Sequence, residues 1–131
     1  MATYGLMDPD QATGDVKAVF DDIKATRKTD YINNIWRALA HDPVLLRRTW
    51  EQVKQVMGPG ILDPLTKELI YIAVSVTTGC GYCTASHTAS ARKQGLTPEA
   101  FAELMAVVGL ANQTNRLAIG YQVEIDERFR V

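Results

Sequence analysis

Cysteine and histidine are scarce in this sequence, with two of each, and neither sign of charge is in excess: 14 Lys+Arg stand against 15 Asp+Glu. A net charge of −1 with no basic cluster argues against a nucleic-acid or anionic-membrane partner, whose phosphates call for concentrated Lys and Arg. Long apolar runs are missing too. The longest, Leu69 to Val76, is eight residues interrupted by Ser75, where a bilayer span needs about 20. The first residues carry neither a basic n-region nor an apolar h-region, so a cytoplasmic protein is expected. No segment alternates with period two between turn dipeptides, which removes the usual signature of strands. Repeats, low-complexity tracts and linkers are also absent.

What is present reads as helix. Three starts share one device, a capping side chain followed by proline: Asp42-Pro43, Asp63-Pro64 and Thr97-Pro98. Each offers an oxygen to orphan amides and then a residue already fixed at helical φ. After the first come Leu45, Leu46, Trp50, Val53 and Met57 at helical spacing, ended by Gly58-Pro59-Gly60. The second predicts a helix to about Thr78 with Gly79 as its stop, apolar nearly all round from Leu69 to Val76 and therefore buried on most sides. The third leads into Phe101, Leu104, Met105 and Val108. Asp15 to Arg27 carries Val16, Val19, Phe20 and Ile23 on one face, Tyr31 to Ala40 reads as a short helix, and Asn112 to Val123 as a last one interrupted by Gly120. The expectation is one all-α domain over residues 1–131, with about six or seven helices and a core spanning about 15–123. Trp36 and Trp50, set among aliphatics, are expected to pack in a core or an interface.

Both cysteines fall in one window, Cys80-Gly81-Tyr82-Cys83. A bridge over so short a loop would stabilise little, so a redox or metal-binding role is expected. Residues i and i+3 share a helix face, and a helix N-terminus favours a thiolate through its unpaired amides and dipole. His87 is four residues past Cys83, which sets a base beside that thiol and makes Cys83 the candidate nucleophile with Cys80 its partner. If the chain folds back at Gly79, Glu68 lies roughly 16 Å and His87 roughly 12 Å from the turn. The two are then about one helical turn apart in level, and Glu68 can orient His87 as the imidazole deprotonates the thiol. His41, directly before the Asp42 cap, reads as a loop residue. Tyr71, Tyr82, Met105 and Trp50 are possible pocket residues and equally well explained as packing.

The arrangement Glu68, eleven residues, Cys80-x-x-Cys83, three residues, His87 resembles the signature of the AhpD-like alkylhydroperoxidases of the carboxymuconolactone decarboxylase superfamily. The resemblance covers roughly Trp50 to Gln122, including the turn Gly95-Leu96-Thr97. It implies an all-helical fold and peroxidase activity with no haem, flavin or metal cofactor. Cys83 would attack the peroxide, Cys80 would close the disulfide, Glu68 and His87 would relay protons, and a thiol-disulfide reductant protein would restore the dithiol. The best-studied members have a histidine immediately before the second cysteine, where this chain has Tyr82. Larger members hold two copies of the helical motif and this chain has one, which implies a homo-oligomer, a dimer or a hexamer of dimers. The decarboxylases of the superfamily lack the cysteine pair. Two other readings use the same residues: a thiol-disulfide exchange adaptor without significant peroxidase activity, and a zinc site of Cys80, Cys83 and His87 with Glu68 or His41.

Overall fold

A computed structural model describes residues 2–130, and these hold six α-helices and no strand. The helices are α1 (Gly14–Arg27), α2 (Asn34–Leu39), α3 (Pro43–Met57), α4 (Pro64–Thr78), α5 (Gly81–Lys93) and α6 (Pro98–Gly120), with short 3-10 turns at Pro9–Gln11 and Glu127–Phe129. The all-α expectation is met. The chain divides into two compact units, one up to Gly58 and the other from Pro59.

The first unit packs α1 and α2 against α3. Val16, Val19, Phe20 and Ile23, the apolar face of α1, meet Ile32, Trp36, Leu46 and Trp50 in a closed core. Trp36 and Trp50 contact edge to face with centroids 5.4 Å apart. Asp42 caps α3 by accepting the amides of Val44 and Leu45 at 3.1 and 3.0 Å. One expectation changes here. The short helix starts at Asn34 rather than Tyr31, because the Tyr31 amide is taken by Thr29 Oγ1 and Ile32 is buried in an extended stretch.

In the second unit α4 packs against α5 and against α6. Asp63 and Thr97 cap α4 and α6 through the amides of Thr66 and Ala100. The two helices expected over the last third are one. Helix α6 runs unbroken through Gly109 and Asn112 and stops at Gly120. The Asn112 side chain does not compete as a cap, since its amide donates to the Val108 carbonyl one turn back and to Thr77 Oγ1 on α4, both at 2.9 Å.

A second correction concerns α4. Ile72 and Ser75 are buried, but Ile70, Tyr71 and Val74 are exposed, so the helix is not enclosed within this chain. Val74 lines an open apolar groove of about 300 Å³ with Leu104, Val107, Val108 and Ala111 of α6. Val107 and Leu110 of α6 are 60% and 61% exposed, and no charged residue falls between Glu103 and Arg116. None of the helices among the described residues is long and apolar enough to cross a membrane.

Candidate active site

The site is built on the α4–α5 hairpin. Gly79 ends α4 with φ +77°, a conformation in which a Cβ would be strained. The Gly79 and Cys80 amides then return to the carbonyls of Val76 and Ser75, at 3.2 and 2.9 Å. This glycine-centred closure satisfies two carbonyls of the last turn of α4 and reverses the chain. The reversal aligns residues at equal distances from the turn: Tyr71 is eight before Gly79, His87 is eight after it, and their rings stack.

Cys80 and Cys83 are joined as a disulfide, with Cα atoms 5.4 Å apart. Cys80 is the N-cap residue of α5, and its sulfur accepts the Cys83 amide at 3.2 Å. A sulfur occupies the place that Ser or Asp usually fills, and the amide that holds it favours negative charge on Cys80 when the bridge opens. Cys83 lies in the first turn of the same helix, one turn before His87.

Glu68 and His87 face each other across the hairpin, Oε2 to Nδ1 at 2.7 Å. The one-turn offset in level is spanned by the length of the glutamate side chain. Both groups are largely shielded, with side chains 13% and 23% exposed. With a neutral ring, the Nδ1–H donates to the carboxylate and the lone pair stays on Nε2 at the far edge of the ring, which leaves that nitrogen to act as a base.

Tyr71 completes the arrangement, a residue the sequence alone marks only as pocket lining or packing. Its ring lies on the imidazole of His87 with centroids 3.6 Å apart and planes 18° from parallel. Glu68 and Tyr71 are i and i+3 on α4, so a single helix face presents the acceptor and the stacking surface. That spacing was readable in sequence; the partner ring across the hairpin was not. Met105 packs against the core of Ile72, Ala91 and Leu96. Tyr82 is exposed on the first turn of α5. In the first unit, His41 is exposed in the turn between α2 and α3 and Trp50 is core. Among the described residues no three His, Cys, Asp or Glu side chains gather as a metal site would require, and the donor set of the zinc reading is not assembled.

A helical hairpin that carries a dithiol pair beside a carboxylate-bound histidine defines a class of redox-capable helical protein. The chain belongs to the carboxymuconolactone decarboxylase family, whose profile matches residues 43–122, more than half its length. A crystal structure of the alkylhydroperoxidase AhpD core from Rhodospirillum rubrum is similar over all of this chain and 98% of that one, with a TM-score of 0.95 and 57% identity. Alkyl hydroperoxide reductase AhpD from Solibacter usitatus is 32% identical over 106 residues, 79% of this chain. "Uncharacterized protein 4 in cox locus" from Paracoccus denitrificans is 36% identical over 73 residues, half of this chain. The chain spans 66% of the Paracoccus protein's length and 58% of the Solibacter protein's.

Proposed function

We propose that this protein is a cofactor-independent thiol peroxidase that reduces alkyl hydroperoxides or hydrogen peroxide. The observation that carries the reading is the Glu68–His87 contact of 2.7 Å placed one helical turn from a cysteine pair able to bridge. The similarity to proteins named as alkylhydroperoxidases supports it.

In the proposed cycle His87, oriented by Glu68, takes the proton of the Cys83 thiol. The thiolate attacks the terminal oxygen of ROOH; an S–O bond forms, the O–O bond breaks, and RO⁻ leaves as ROH with the proton held by His87. Cys80 then attacks the sulfenic acid on Cys83. The disulfide forms, and the departing hydroxide leaves as water with the Cys80 proton. A dithiol protein returns two electrons and two protons by thiol-disulfide exchange, and its own cysteines become the disulfide. The amide that holds Cys80 sulfur favours Cys80 as the leaving thiolate in that exchange.

We also propose a homo-oligomer, with the occupant of the α4–α6 groove a second copy of this chain. The exposed Val107, Leu110 and Leu117 share one stripe of α6, and the uncharged stretch between Glu103 and Arg116 allows two identical faces to meet without like-charge repulsion.

The test is to reduce the protein, remove the reductant, add tert-butyl hydroperoxide and follow free thiols. Loss of both thiols in the wild type, sulfenic acid trapped in Cys80→Ser and no reaction in Cys83→Ser are expected. Thiols that survive peroxide but exchange readily with a dithiol protein would replace the peroxidase with the adaptor.

A further inference from the structure

We infer that Tyr71 is a positioning residue for His87, acting through its ring face and not through its hydroxyl. The inference rests on the peroxidase reading for its kinetic consequence, but its geometry is independent of it.

An imidazole held only by one hydrogen bond at Nδ1 can still swing about that contact and about its own χ2, which is a soft torsion. Rotation of the ring moves Nε2, the atom left to act as base. The Tyr71 ring, nearly parallel at 3.6 Å, removes that freedom, because the plane of the imidazole must stay parallel to a surface fixed on α4. The surface is itself anchored. Ser75, buried at 3% exposure, donates its hydroxyl to the Tyr71 carbonyl at 2.7 Å, and the next residue, Ile72, is fully buried. Two constraints from one helix thus define the imidazole. Glu68 sets which nitrogen carries the proton, and Tyr71 sets the plane in which the other nitrogen points. Tyr71 is itself 39% exposed, more than packing in a core would require.

The test uses the full chain, with Tyr71→Leu and Tyr71→Phe compared against the wild type. The chain has only two histidines, so ¹⁵N-detected ring spectra resolve His87, and His41 in its exposed turn is an internal control. In the wild type His87 is expected as the single Nδ1–H tautomer. Tyr71→Leu should leave the Nδ1–H tautomer in place, because Glu68 holds it, but should broaden the His87 ring resonances by exchange between ring orientations, with His41 unchanged. It should also lower kcat for tert-butyl hydroperoxide by about 10- to 100-fold with KM little altered, the scale expected of a misplaced catalytic group, while the melting temperature stays close to wild type. Tyr71→Phe keeps the ring and should restore both the sharp His87 resonances and kcat. A His87 spectrum indifferent to Tyr71→Leu overturns the inference, and so does a Tyr71→Phe variant as impaired as Tyr71→Leu. If the wild type does not consume peroxide, the proposed function falls, and the His87 spectrum alone decides the positioning role.

Discussion

The two units differ in how completely they are packed and in which redox-capable and titratable side chains they carry. The first closes a core around Phe20, Ile23, Leu46 and the Trp36–Trp50 pair, and ties its polar rim to that core: the Asp22 carboxylate accepts the Trp50 indole N–H at 2.7 Å and the Lys54 ammonium at 2.6 Å. The second has a much smaller buried cluster around Ile72, Ala91 and Leu96, and leaves apolar side chains of α4 and α6 facing outward. Both cysteines, and the histidine paired with a carboxylate, lie in the second unit. A fully packed region tolerates little movement, whereas a sparsely packed hairpin with an opening bridge can change state without disturbing a large core.

The sharpest way to break this comparison is to substitute the proposed proton relay. His87→Ala should lower peroxide turnover by about 10²- to 10⁴-fold, the usual worth of a positioned acid-base group, while the thermal unfolding midpoint hardly moves. A large fall in melting temperature would show that the hairpin is held together by its reactive residues. The complementary substitution is Trp50→Ala. It should destabilise the protein by about 3–5 kcal/mol, as removal of a buried indole does, and it also removes an indole donor from Asp22. Denaturant unfolding measures it, and thiol oxidation per folded molecule should remain near wild type. If oxidation slows in proportion, the division of labour is wrong.

Much of this was legible in the sequence because it is local. The Asp-Pro and Thr-Pro starts became capped helices since a side-chain oxygen two or three residues from an amide needs no tertiary help. Counting residues from Gly79 brings Glu68 and His87 to within about one helical turn of each other, and the glycine closure makes that count valid. What counting missed depends on neighbours. The apolar circumference of α4 promised burial, but hydrophobicity states what a surface prefers and not which molecule covers it. Asn112 reads in sequence as the start of a separate last helix, yet its amide donates to Val108 and to Thr77, and α6 continues through it. The Tyr71–His87 stack needed both the hairpin register and the rotamers of two rings, and spacing alone fixes neither.

The exposed face of α6 gives a third test of the comparison. Leu110→Asp places a charge in the uncharged stretch. If that face meets a second copy, sedimentation should show the assembly shift to a smaller species, with an expected loss of about 2–4 kcal/mol of association free energy for a hot-spot position. A wild type that is already monomeric, or a variant that assembles unchanged, would leave the second unit without the self-association proposed for it.

The smallest effect lies in the first unit and concerns acid. Hydrogen bonds from Lys54 and then from Trp50 hold the Asp22 carboxyl below its usual range. A carboxylate whose pKa is depressed on folding adds stability above its unfolded value, near 4, and loses it as pH falls through the folded value. Asp22→Asn keeps an acceptor for the indole but loses the charge that faces Lys54. The wild type should therefore melt higher than Asp22→Asn at neutral pH, and the gap should narrow as pH falls below about 4. Because the Asp22 side chain is 42% exposed, solvent screens the pair and the gap will be small. A gap that persists unchanged at pH 2 would mean that the charge contributes nothing, and that Asp22 serves the first unit only as the acceptor that satisfies Trp50.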